Sequence, residues 1–200
     1  MEITYNSEEM ILVSLLNGPF KTHTVTSLAF SLNKTRQGLW KALKKLESNK
    51  LIILNMVGNS KTSTAIIKLN WSNPITEKIL SLQLTKESLK QQRWRVNFLD
   101  LEKEVDFLIL FGSVLNNSSK ANDIDLLAII GDKKNFKAIE SIKFRIQQTQ
   151  LKKIHLITLK EAEFDQELKK RNKAYLDALK KGIVLYGQDN FIKFMKSFNK

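Results

Sequence analysis

A chain of 200 residues with 42% hydrophobic content has room for one large core or two small ones. It has no cysteine, which excludes disulfides and thiolate nucleophiles, and its two histidines, His23 and His155, argue against a histidine-rich zinc centre. The formal net charge of +13 favours a polyanionic partner, nucleic acid first, although lysine-rich surfaces also serve solubility. No stretch approaches the ~18 uninterrupted apolar residues of a membrane span, and the N-terminus lacks a signal peptide's pattern; the expectation is a cytoplasmic protein with no membrane partner.

In chain order, Ser7 to Leu16 reads as a helix capped by Ser7, with Glu8 and Glu9 at its positive end and Ile11, Leu15 and Leu16 among its buried residues. Asn17-Gly18-Pro19 stops it. Thr24 to Leu32 gives a second helix, and Asn33 caps a third from Lys34 to Ser48. On that third helix Leu39, Leu43 and Leu46 share one face, while Lys34, Gln37, Lys41, Lys44 and Lys45 gather on the other. Two strand-like runs follow, LIILNM and TSTAIIKLN, around a turn-rich tip near Gly58 to Lys61. The stretch VTSLAFSLNKTRQGLWKALKKLESNKLI, with its hairpin, resembles a winged helix-turn-helix.

That resemblance implies a third helix that enters the major groove and a wing that touches the backbone or minor groove. The implied contacts are Lys34, Arg36, Gln37, Lys41, Lys44, Lys45 and Lys61, with double-stranded DNA as partner. Residues 1–70 carry nine Lys or Arg against four Asp or Glu, and this surplus favours the DNA reading over a solvated helix side. A protein-binding winged helix is the other alternative, since no residue pattern here reads a base. Trp40, between the two faces, suits packing at the core edge.

Trp71-Ser72-Asn73-Pro74 breaks both patterns and marks a boundary. From Thr76 to Asn97 the chain is expected to be helical, with apolar residues on more than one side, as suits a connecting helix or a helix packed between two copies in a homodimer. The domain reading is 1–70 for a DNA-binding domain, 71–104 for a linker and connecting helix, and 105–200 for a second domain.

The centre of that second domain is FLILFGSVLNNSSKANDIDLLAII, from Phe107 to Ile130. Phe107 to Phe111 is an apolar run that reads as a buried strand ended by Gly112-Ser113. After nine intervening residues Asp123-Ile124-Asp125 opens a second strand, whose alternation points both carboxylates one way and Ile124 into the core. Two adjacent carboxylates repel unless a cation sits between them, and Mg2+ held by carboxylates and substrate phosphates is the usual resolution. Gly112 lets backbone approach a phosphate, and Ser113 offers N–H and hydroxyl donors.

Gly112-Ser113, nine residues, then Asp123-Ile124-Asp125-Leu126-Leu127 resembles the signature of the polymerase β nucleotidyltransferase superfamily, especially its minimal archaeal and bacterial members. The closing KKGIVLYG resembles their end as well. The resemblance implies an α/β (α+β) fold: the winged helix-turn-helix followed by a small nucleotidyltransferase domain, a short mixed sheet flanked by helices. It implies that Asp123 and Asp125 are catalytic and bind Mg2+ or Mn2+, and that Gly112 and Ser113 hold the triphosphate of a nucleoside triphosphate. Between these motifs a helix from about Asn135 to Gln148 is expected, then a strand from Lys153 to Leu159, a capping box at Thr158 and Glu161, a last helix ending at Gly182, and an amphipathic tail from Asn190.

Two departures from the family pattern stand out. Most active members carry a third carboxylate on the later strand, whereas KKIHLITLK has none and places His155 at the matching position. After Gly-Ser many members have Ala-Arg-Gly, whereas this chain has Val114-Leu115-Asn116-Asn117, leaving Lys120 to supply charge as a point rather than a fork. Three readings follow: a DNA-binding nucleotidyltransferase, a nucleotide-binding transcription regulator without transfer, or the antitoxin of a toxin–antitoxin pair with a toxin partner protein.

Overall fold

The computed structural model describes residues 6–59, 63–131 and 136–198. Contacts divide the chain into two compact units whose boundary lies between Gln83 and Leu84. In the first, α1 (Ser7–Leu16) is capped by Asn6 rather than Ser7: the Asn6 side chain accepts from Glu9 N–H, and Glu9 reaches back to Asn6 N–H at 3.1 Å. A two-residue strand β1 (His23–Thr24) leads into α2 (Val25–Ser31), and α3 (Arg36–Ser48) follows.

The expected start of that third helix moves by two residues. Asn33 has φ of 50°, and Lys34 N–H bonds back to the Ala29 carbonyl at 2.9 Å, so Asn33 ends α2 instead of opening α3. Thr35 takes over as cap, its hydroxyl accepting from Gly38 N–H. Lys50 closes α3 in the same left-handed manner. Leu39, Leu43 and Leu46 are fully buried, as their spacing predicts. The strands β2 (Ile52–Val57) and β3 (Thr64–Leu69) pair antiparallel, and β1 adds to the far side of β3, giving the order β1-β3-β2.

The long connecting helix is two helices, α4 (Pro74–Lys90) and α5 (Gln92–Asn97). The break at Gln91 turns Arg95 back so that its guanidinium donates to Ser88 Oγ at 2.6 Å, while buried Ser88 donates to the Leu185 carbonyl at 2.7 Å. Local apolar spacing carries no trace of that polar knot.

The second unit is a mixed α/β layer structure. Its four-stranded sheet has the order β6-β5-β4-β7, from β4 (Phe107–Phe111), β5 (Asp123–Ile130), β6 (Lys153–Lys160) and β7 (Ile183–Tyr186). β4 lies antiparallel to β5 and β7, whereas β5 and β6 are parallel and joined through α6 (Phe136–Gln147). The expected helix start at Asn135 lies outside the described residues. One sheet face, with Ile124, Leu126, Ala128 and Ile154, is sealed by Ile139 and Ile146 of α6 together with Trp94, Phe98 and Leu101.

The other face is closed over only part of its length. Here α7 (Glu161–Lys169), α8 (Lys173–Lys181) and α9 (Gln188–Phe198) gather the aromatic rings: Phe107 meets Phe191 edge-on at 5.4 Å, and Phe164 stacks on Phe194 at 5.2 Å. The burial of β5 records this geometry. Residues 123–126 alternate half-buried and buried, and from Leu126 onward every residue is buried. The open end of that face is where Asp123 and Asp125 stand. At the other end the box at Thr158 and Glu161 does not form; the strand continues through Lys160, and Glu163 accepts from Lys160 N–H at 2.7 Å. Among the described residues no helix is long and apolar enough to cross a membrane.

Candidate active site

β5 sets both carboxylates on one face because they are two residues apart on an extended chain, and Ile124 between them is fully buried. The parallel neighbour β6 then brings a third donor. Asp125 lies in register with His155, and His155 Nδ1 stands 3.4 Å from Asp123 Oδ2 and 3.5 Å from Asp125 Oδ1. Ligand atoms of all three lie within 4.8 Å of one another. The side chains are 35%, 26% and 43% exposed for Asp123, Asp125 and His155, so the cluster is reachable but partly shielded.

Burial raises the Asp125 carboxyl above its ordinary pKa, and the neighbouring Asp123 charge pushes the same way, partly opposed by His155. A group whose ionised form is disfavoured by a like charge is one that a cation relieves. The donor set fits a divalent ion: ligand oxygens and nitrogens each about 2.1 Å from a metal stand roughly 3.0–3.4 Å apart, close to the two separations between His155 and the carboxylates.

Gly112 completes the site from β4. Phe111 pairs with Asp125, and the chain turns at Gly112 with φ of 83°, a region that favours glycine. A Cβ at this position would lie 2.1 Å from Asp125 Oδ2, so the bare glycine is what allows the carboxylate to sit against the turn. Ser113 follows at the start of a 3-10 turn over Ser113–Leu115 and is exposed beside the cluster. Asn117 holds the next part of the loop, its Oδ1 accepting from Ser119 Oγ at 2.7 Å and from Lys120 N–H at 3.2 Å. Lys120 is exposed on that loop.

Two features were not read from the sequence. Lys153 lies in backbone register with Asp123 and shares the strand face of His155, so an exposed lysine stands on β6 next to the acidic cluster. Its only sequence signal is its place two residues before His155. Lys152 donates to the Ala121 carbonyl and so ties the end of the loop to the start of β6.

The basic residues of α3 are less uniform than their helical face suggests. Lys44 pairs with Glu47 at 2.8 Å and lies 5.0 Å from the Trp40 ring centre, Lys45 pairs with Glu8 at 2.7 Å, and Lys34, ahead of the helix, donates to Ser7 Oγ at 2.9 Å. Arg36, Gln37 and Lys41 are exposed on the outer side. Lys61, at the expected wing tip, lies outside the described residues.

Residues 96–191 match the family described as Polymerase beta, Nucleotidyltransferase. The match begins inside α5, ahead of the expected boundary at 105, and takes in the whole sheet and the Asp123–Asp125–His155 cluster. This stretch, just under half of the chain, is therefore similar to a polymerase β-type nucleotidyltransferase domain. No curated protein matches the chain.

Proposed function

We propose that this chain is a DNA-binding nucleotidyltransferase: its second domain moves a nucleoside monophosphate from a nucleoside triphosphate to an acceptor hydroxyl, releasing pyrophosphate, and its first domain delivers it to duplex DNA. The observation that carries the first part is the cluster itself, two carboxylates and an imidazole converging on an open sheet end beside a glycine turn. Asp123, Asp125 and His155 hold a divalent cation, which when bound supplies Lewis-acid stabilisation to the phosphate oxygens. Gly112 and Ser113 receive the triphosphate where backbone can approach it, and Lys120 and Lys153 add positive charge at the rim. The sealed face beneath, with Ile124 and Leu126 fully buried, keeps β5 rigid under the reacting groups.

The DNA-binding part of the reading is supported by the order of elements from Ser7 to Leu69, three helices and a hairpin with β1 on the outside, which resembles that of a winged helix-turn-helix. Arg36, Gln37 and Lys41 offer the groove-facing contacts, with Lys34, Lys44 and Lys45 behind them. A second reading, a regulator that binds nucleotide without transferring it, is favoured by one observation: the third position of the cluster is an imidazole, which holds no negative charge against the ion.

One experiment separates the two. Calorimetry with nucleoside triphosphates and a divalent cation, followed by a pyrophosphate-release assay with nucleic-acid and protein acceptors, is expected to give binding and release. Binding without release selects the regulator, and no binding removes the nucleotide from both.

A further inference from the structure

We infer that His155 makes this cluster a site for a nitrogen-accepting transition dication of the Mn2+ or Co2+ class in preference to Mg2+. The inference rests on the reading of the cluster as a cation site, and it does not depend on transfer activity.

The argument starts from the donors. Mg2+ demands near-ideal octahedral oxygen coordination and gains little from imidazole, whereas affinity for a site with a nitrogen donor rises along the first-row series from Mn2+ to Co2+ and beyond. Here one of three converging donors is Nδ1 of His155, 3.4 Å from Asp123 Oδ2 and 3.5 Å from Asp125 Oδ1. The ring is placed there by backbone pairing and not by surface chance: the parallel register sets Asp125 opposite His155 and Leu127 opposite Ile157. Ile154, on the buried face of the same strand, anchors that register. The register therefore keeps His155 on the same face of the sheet as the two carboxylates.

A second observation points the same way. Gly112 leaves room for the Asp125 carboxylate where any Cβ would collide with Oδ2, so Asp125 is seated against the turn by the missing side chain and turned toward Asp123 and His155. With two carboxylates and one imidazole the protein supplies two negative charges, enough to neutralise a single dication. Exchanging the nitrogen for a third carboxylate would add charge and hard oxygen, which favours Mg2+; the chain has nitrogen instead.

The two histidines make the test direct. His23 sits in the first unit with Nε2 3.0 Å from the Gly18 carbonyl, belongs to no metal-ligating cluster among the described residues, and serves as an internal control. The full-length protein, stripped with a chelator, is titrated with Mn2+ and Mg2+ by calorimetry, while the imidazole resonances are followed by NMR under Mn2+ and Co2+. The expected result is selective paramagnetic broadening of His155 over His23, Mn2+ binding about tenfold or more tighter than Mg2+, and a fall of about tenfold in that ratio for His155→Asp. His155→Gln, which carries a neutral oxygen donor and no new charge, should lower Co2+ affinity without favouring Mg2+, and keeps the test valid if three carboxylates prevent folding. A Mn2+ to Mg2+ ratio that is unchanged in both variants overturns the inference while leaving a cation site in place. Binding of neither ion overturns the cation site as well.

Discussion

Gly112→Ala tests the steric basis of the site. The glycine has φ of 83°, and a residue with a Cβ in this region carries about 1–3 kcal/mol of backbone strain. The added carbon would lie 2.1 Å from Asp125 Oδ2 and 3.0 Å from its Cγ, so the carboxylate must swing away, an overpacking cost of a further 1–3 kcal/mol or so. Together these amount to about 2–6 kcal/mol, or on the order of 10 °C in the melting temperature of the unit that contains it. A double-mutant cycle with Asp125→Ala isolates the overlap. That change removes Oδ2 and Cγ and leaves the Asp125 Cβ position, which at 3.3 Å is tight but needs a shift of only a few tenths of an ångström. Chemical denaturation of the four proteins should give a coupling of about 1 kcal/mol or more, with the double variant more stable than the sum of the singles predicts. Gly112→Ala should also lose metal-dependent nucleotide binding, because Asp125 no longer points into the cluster. Additive changes within about 0.5 kcal/mol would show that the turn and the carboxylate do not press on each other, and would refute the reasoning.

Other outcomes follow from the same structure. The Asp125 carboxyl has a folded-state pKa raised chiefly by burial and then by Asp123, so the folded protein binds this proton more tightly than the unfolded chain. Metal-free protein should therefore lose stability as pH rises from the ordinary Asp pKa through the raised one, and Asp125→Asn should flatten that decline without lowering the melting temperature at neutral pH; a clearly lower melting temperature would contradict it. The same variant should abolish most metal-dependent nucleotide binding in calorimetry. Duplex DNA binding should weaken steeply with salt, and Arg36→Glu with Lys41→Glu should remove more of it than Lys44→Glu with Lys45→Glu, because Glu47 and Glu8 already pair with the latter two; equal losses would move the contact surface off the outer side of α3. Ile75, Leu82 and Leu89 are exposed at seven-residue spacing along α4, so a homodimer through that helix is expected, and Leu82→Glu should turn a sedimenting dimer into a monomer; a wild-type monomer at micromolar concentration would rule it out.

Much of this architecture is local and was therefore legible. The strands Phe107–Phe111 and Asp123–Ile130 start and stop where apolar runs meet Gly112 and Asp123, and the shared direction of Asp123 and Asp125 needs only the period of two that any extended chain has. The core face of α3 is equally local, three leucines at helical spacing. Helix ends were less accessible, because Asn33 and Lys50 take left-handed conformations that their residue types permit without requiring. What needed the tertiary structure was register across long separations. That His155 stands opposite Asp125, and not one residue above or below, depends on how α6 carries the chain from β5 to β6 and on the packing of Ile154 into the sealed face; a slip of one residue would have sent the imidazole to the other side of the sheet. The contact of Gly112 with Asp125 and the pairing of Lys45 with Glu8 belong to the same class, since each joins segments whose approach no window of sequence contains. Composition and alternation settle which way a side chain points, because that is fixed by its own backbone; which groups it meets is settled by the energy of packing surfaces that fold together only once.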